Sequence, residues 1–251
     1  MFSCVLSSGS RGNSTLIGNE NTKILVDLGT TCLYVQNNLK ELNIDPVNID
    51  GIVITHTHID HVGGLKVFLK KYNTKVYLSK EMKDSINFDI ENYQIIEDDF
   101  LIKDIKFKIL KASHDTPCFN YIISCNDKSL GYITDTGYIH VKYHELLSNM
   151  DSYIMESNHD HQLLLNGDYP HHLKQRIIGD YGHLSNKDSS YYLSKFIGDK
   201  TKKVFLIHLS KDNNTPSKAI NTLNETLFNK NISFDNIEIS IQNQRTEVFY
   251  D

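Results

Sequence analysis

Apolar and polar positions alternate in short blocks from one end of the chain to the other, separated by turn residues. Phe2–Ser7, Ser14–Gly18 and Lys23–Asp27 read as strands, Cys32–Leu42 as a helix, and Gly51–Thr55 as a strand apolar on both faces. Leu65–Tyr72 has helical spacing, Lys75–Leu78 is a short strand, and Ser79–Phe88 is polar with a helical turn. Tyr93–Ile96, Ile105–Lys111, Phe119–Cys125 and Lys128–Thr134 are further strands, and the Ile105–Ile109 run alternates with the period of two of a half-buried strand. The second half repeats the theme. His140–Leu147 is expected to be helical and Ser152–Met155 a strand, with helix over His159–Leu165, Leu173–Ile178, Ser185–Phe196 and Pro216–Asn229. Lys203–His208 and segments near Ile237–Ile241 and Glu247–Tyr250 complete the strands. No low-complexity linker divides residues 1–251, so one domain is expected, with two sheets packed face to face and helices outside.

Composition changes this picture little. A hydrophobic content of 39% and a charged content of 23% suit a globular chain. The polar start predicts no signal peptide, and no apolar run approaches the ~18–20 residues that span a bilayer, so a cytoplasmic protein without a membrane partner is expected. Cys4, Cys32, Cys118 and Cys125 are scattered without a CxxC pair and read as reduced thiols. The net charge of −5 does not by itself favour nucleic acid, yet bound cations invert the sign of an acidic pocket.

The densest chemistry lies in Thr55-His56-Thr57-His58-Ile59-Asp60-His61, followed by Gly63-Gly64. His56 and His58 are two residues apart, so in extended backbone they point the same way and can share one ion. Asp60 and His61 lie where the chain turns and can aim at a second ion. Asp60 alone would read as a cap for a helix starting near Gly63, but four donors in one turn after an apolar strand point to metal. Imidazole with carboxylate suits zinc, manganese or iron rather than calcium. Three more donors stand at strand ends: His114, Asp135 and His208.

This run, with the later His, Asp and His in that order, resembles the metallo-β-lactamase superfamily. The resemblance implies a four-layer αββα sandwich and two divalent ions. His56, His58 and His114 would hold one, Asp60, His61 and His208 the other, and Asp135 would bridge them. Three further stretches narrow the branch. Leu6–Ser14 is a Gly- and Ser-rich turn that exposes N–H groups and hydroxyls, fit to hold an anion or to support the metal loop, but it lacks the lysine of a P-loop. Glu156-Ser157-Asn158-His159-Asp160 follows a strand. Gly182-His183-Leu184-Ser185 and His208-Leu209-Ser210 are paired His-Leu-Ser motifs, and Ser185 with Asp188 also reads as a helix cap. The set resembles the YycJ/WalJ (VicX) branch, which is similar to ribonucleases J and Z.

What this resemblance implies is a phosphodiester hydrolase, a 5′→3′ DNA exonuclease in which two ions generate hydroxide from a shared water. Asp60, Asp135 and His183 would be catalytic, with His183, Lys174, Arg176 and Ser185 as substrate contacts. Unlike ribonuclease J, this length leaves no room for an inserted clamping domain, so the grip on DNA is expected from the core surface or a homodimer partner. The alternatives are a ribonuclease, a phosphodiesterase acting on a small cyclic diester, a thioester hydrolase and a non-catalytic metal-binding regulatory protein. A full donor set exceeds what structural zinc requires, and the late His-Leu-Ser motifs favour phosphodiesters over the other bonds.

Overall fold

The computed structural model describes residues 1–251. Antiparallel β1 (Phe2–Ser7), β2 (Ser14–Gly18) and β3 (Lys23–Val26) open the first sheet. Helix α1 (Cys32–Glu41) leads to β4 (Gly51–Val53), which pairs parallel with β3. The donor-rich turn contains a four-residue helix α2 (Ile59–Val62), and α3 (Leu65–Tyr72) follows. β5 (Val76–Leu78), α4 (Lys80–Ser85) and β6 (Tyr93–Ile95) finish this half. The second sheet begins with the antiparallel series β7 (Phe100–Ile102), β8 (Ile105–Lys111), β9 (Phe119–Cys125) and β10 (Lys128–Ile133). It continues parallel through β11 (Ser152–Glu156), β12 (Lys203–Ile207) and β13 (Ile237–Ile239). Between β11 and β12 lie α5 (His161–Asn166), α6 (His171–Ile178) and α7 (Asn186–Phe196), and α8 (Pro216–Asn229) precedes β13. β14 (Phe249–Tyr250) returns to pair with β1, so each sheet has seven strands: β14-β1-β2-β3-β4-β5-β6 and β13-β12-β11-β10-β9-β8-β7.

The order of antiparallel then parallel pairing is the same in both halves, and their inner faces form one apolar core. Leu16, Leu25 and Ile52 of the first sheet belong to the same buried cluster as Phe107, Tyr121 and Phe205 of the second. α1 and α3 cover the first sheet with Val35, Leu39 and Phe68. α7 and α8 cover the second with Leu193, Phe196, Ala219, Leu223 and Leu227. In α8 these apolar residues recur every four positions, with Thr215 accepting from the Lys218 amide and Pro216 in the first turn. This is the four-layer αββα sandwich expected from the sequence.

One expectation fails locally. His140–Leu147 is not a helix: only Val141–Tyr143 forms a 3₁₀ turn, and irregular turns follow. Its apolar residues do not share a buried face, since Val141 is 71% exposed while Leu147 is fully buried. Asp60 does not cap a helix near Gly63, because α2 begins at Ile59 with His58 at its N-cap, which puts Asp60 in the first turn. The strand Phe100–Ile102 was not expected. It pairs as a hairpin with β8 through Lys103, whose φ is +52°.

Candidate metal centre

The centre forms where the carboxyl ends of β3, β4, β10, β11 and β12 meet, the usual place for chemistry in parallel α/β sheets. Three residues within two positions of a strand end there have left-handed backbone: Asp27 (φ +60°), Asp135 (+47°) and His208 (+58°). Such values are uncommon for residues with a side chain, and each marks a sharp turn at a strand end facing the centre. The segment leading from β4 to His56 is fixed by β9 of the opposite sheet. The Thr55 carbonyl accepts from the Phe119 amide at 2.9 Å, and the Tyr121 hydroxyl donates to the Ile54 carbonyl at 2.9 Å.

The metal loop is also gripped from its other side. The Asn13 amide donates to the Asp60 carbonyl at 2.7 Å, and Asn13 Nδ2 lies 3.3 Å from Asp60 Oδ2. Gly12 (φ +147°) makes the turn before Asn13 possible. Gly29 is equally forced, since a Cβ there would lie 1.6 Å from the Asp60 carbonyl oxygen.

The seven donors expected from sequence come together. One ligand atom from each of His56, His58 and His114 lies within 4.8 Å of the others, and the same is true of Asp60, His61 and His208. His56, His61 and Asp135 form an overlapping group, so Asp135 lies beside both sets. Its Oδ2 is 3.2 Å from His61 Nε2 and its Oδ1 is 3.5 Å from His208 Nδ1.

Most of the imidazoles are oriented by a partner on Nδ1, so that Nε2 faces inward. His61 Nδ1 is 2.7 Å from Asp27 Oδ2, and Asp27 is itself held by the Thr55 amide (2.8 Å) and hydroxyl (2.7 Å). His208 Nδ1 is 3.0 Å from Glu156 Oε1, His56 Nδ1 is 3.1 Å from the Thr55 hydroxyl, and His114 Nδ1 is 3.3 Å from the Gly182 carbonyl. His58 is reversed: its Nε2 meets Asp115 Oδ1 at 3.2 Å and its Nδ1 faces His114 Nε2 at 3.4 Å. His56 Nε2 is buried with no hydrogen-bond partner. An orphaned buried imidazole nitrogen among these donors fits a cation.

Charge tells the same story. Asp27, Asp135 and Glu156 are buried carboxylates in one cluster, which needs compensating positive charge. Protons on histidine supply part of it. Burial opposes a charge on His61, but Asp135 and Asp27 outweigh it and push its pKa up to about 10. Burial also opposes charge on His208, and Asp135 with the Asp60 and Glu156 hydrogen bonds raises it well above the usual range. His56 goes the other way, lowered by burial and then by the charge on His61. Burial works against the Asp135 carboxylate, yet the charges of His208, His61 and His56 hold it well below the ordinary range.

His183 adjoins the seven donors, and one ligand atom from each of Asp135, Glu156, His183 and His208 also lies within 4.8 Å of the others. Its Nδ1 is 2.7 Å from Glu156 Oε1, and its side chain is 21% exposed. Burial lowers its pKa, but Glu156 outweighs burial and leaves it raised. Glu156 is saturated, for its other oxygen takes the amides of Thr136 (3.1 Å) and Leu184 (3.3 Å).

The other predicted contacts are engaged within the protein. Lys174 Nζ donates to the carbonyls of Leu165 and Gly167, both at 2.7 Å, and so closes the end of α5. Arg176 Nε donates to Asp115 Oδ2 at 2.8 Å, which ties α6 across the mouth of the His58–His114 end. The Ser185 hydroxyl caps α7, accepting from the Asp188 amide at 3.1 Å. Sequence reasoning did not single out Asp27, Asn13, Thr55 or Asp115, and it left Glu156 without a role. The available signal was a polar residue ending an apolar run, as Asp27 ends Ile24-Leu25-Val26 and Glu156 ends Tyr153-Ile154-Met155.

Known proteins resemble this chain in sequence and in fold. The sequence profile of the family described as the Metallo-beta-lactamase superfamily matches residues 8–117. Exodeoxyribonuclease WalJ of Streptococcus pneumoniae serotype 2 (strain D39) is 36% identical over 230 residues, 87% of this chain and 85% of that protein. Exodeoxyribonuclease YycJ of Bacillus anthracis is 33% identical over 235 residues, 90% of this chain and 89% of that one. Among solved structures, the metallo-beta-lactamase fold protein YhfI of Bacillus subtilis superposes with a TM-score of 0.75 over 98% of this chain and 100% of that one. At 13% identity, that likeness is one of fold.

Proposed function

Since the chain belongs to the metallo-β-lactamase superfamily, in the branch of the exodeoxyribonucleases WalJ and YycJ, we propose that it is a metal-dependent 5′→3′ exodeoxyribonuclease with a two-ion centre. The observation that carries this reading is the convergence of all seven donors, with the His183–Glu156 pair beside them. His56, His58 and His114 would hold one divalent cation, and Asp60, His61 and His208 the second, with Asp135 shared. Zinc and manganese both suit this donor set. Bound there, the cations would neutralise charge building on a phosphodiester and make water more acidic.

The residues divide the remaining work. Asp60 is 18% exposed where Asp135 is 2% exposed, so Asp60 is the carboxylate open to solvent and orients the attacking water. As the water gives up a proton to the Asp60 carboxylate and its oxygen bonds to phosphorus, the bond from phosphorus to the 3′ oxygen of the departing nucleotide breaks. Glu156 holds His183 through Nδ1, which leaves Nε2 to deliver a proton to that oxygen. Glu156 raises the His183 pKa above its ordinary value, which favours the protonated form this transfer uses.

The test is Mn²⁺-supported release of nucleotides from 5′-phosphorylated duplex DNA, with RNA and a small diester as comparators and Asp60→Ala as control. Mononucleotides released from the 5′ end by wild type and not by the variant are expected. Cleavage of the small diester alone would remove the exonuclease reading and keep the hydrolase.

A further inference from the structure

The Gly- and Ser-rich turn has two faces, and the metal centre uses only one. On one side Asn13 grips Asp60, and the Ser8 hydroxyl accepts the His208 amide at 2.7 Å. On the other side Ser8, Ser10 and Arg11 line a cavity of about 640 Å³, together with Lys211, Thr215 and Ser240. Its far wall includes the loop that continues directly from His208. The cavity therefore shares a wall with the donor cluster. Its volume suits a nucleotide-sized ligand rather than a lone ion.

Its chemistry is cationic and hydroxylic. The Arg11 guanidinium and the Lys211 ammonium are exposed and form no ion pair. The one acid in the wall, Asp212, already accepts from the Tyr169 hydroxyl at 2.9 Å. Ser240 Oγ is buried with no hydrogen-bond partner. The turn that displays Arg11 is rigidly held: Gln242 Oε1 accepts the Arg11 amide at 2.9 Å, and Gln242 Nε2 donates to the Ser7 hydroxyl at 3.1 Å. A free cation on a fixed turn needs little reorganisation to meet an anion.

We propose that this cavity is a second phosphate subsite, in which Arg11 and Lys211 hold a phosphodiester of the DNA strand flanking the one cut at the metal centre. It adds a grip on the strand beyond the metal centre, and it rests on the exonuclease reading above. Lys174 and Arg176 are engaged within the protein, whereas these two cations are free.

The experiment measures digestion of 5′-phosphorylated duplex DNA over a series of salt concentrations by wild type, Arg11→Ala/Lys211→Ala and Arg11→Lys. The double variant is expected to raise KM about tenfold with kcat held. It should also flatten the slope of log KM against log salt by about 0.9, the value for one phosphate contact. Arg11→Lys keeps the charge and should keep the slope. Wild-type digestion with the same KM and slope in the double variant would overturn the subsite alone, as would a loss confined to kcat. No digestion by wild type would overturn the exonuclease reading and the subsite with it.

Discussion

The two ends of the donor cluster are built differently. At one end His61 and His208 are backed by the buried carboxylates Asp27 and Glu156, and the His61 side chain is 0% exposed. At the other, His56 and His114 lean on a hydroxyl and a carbonyl, and His58, 35% exposed, leans on the partly exposed Asp115. A carboxylate behind an imidazole fixes its ring and raises its basicity as a ligand. In the proposed two-ion centre, the Asp60–His61–His208 end should hold its cation tightly. The His56–His58–His114 end, where His58 is partly open to solvent, should exchange its cation more readily.

The comparison can be broken most severely at the residue both ends share. Asp135→Ala should lower kcat on duplex DNA by roughly three orders of magnitude, about 4 kcal/mol of barrier. A variant within tenfold of wild type would remove Asp135 from the centre. Next is Asp27→Asn, which should weaken the tighter cation by about 10- to 100-fold and leave the looser one unmoved. Metal retained after stepwise chelation reads this out, and equal loss from both ends would erase the asymmetry.

Proton content sharpens the comparison without mutation. In metal-free protein His61, raised to about 10, stabilises the fold fully below its ordinary value near 6.5, and this is lost as pH rises through about 10. Asp135, held low, contributes above the ordinary carboxylate range and loses this only in stronger acid. Between pH 6 and 9 the metal-free protein should therefore become less stable as pH rises. Cations compete better as those protons leave, so metal should raise the melting temperature more at pH 9 than at pH 6. A gap that narrows with pH would contradict this assignment. The smallest effect is expected at the open end, where Asp115→Asn should weaken the looser cation by no more than about tenfold, because its carboxylate is partly solvated. A larger loss than that of Asp27→Asn would invert the ranking of the two ends.

The asymmetry also explains what could be read from sequence. The donors were legible because Thr55–His61 is contiguous and because His114, Asp135 and His208 each end or follow an apolar run. The layering into two sheets was legible as repeated strand blocks. The residues that tune the donors were not, since their partners are chosen by tertiary approach. Asp27 meets a histidine 34 residues away, and Glu156 meets one 52 residues away. Lys174 and Arg176 looked like free cations in the sequence, and only the folded positions of the Leu165 and Gly167 carbonyls and of Asp115 show them engaged. His140–Leu147 was misread because its apolar spacing suits a helix while the backbone turns before a helical face can form.

The central claim is tested most directly by calorimetric titration of chelator-stripped wild-type protein with Zn²⁺ or Mn²⁺. Two ions per chain, bound in two resolved steps with the tighter filling first, are expected. Saturation at one ion or fewer, or two steps of equal affinity, would contradict the claim.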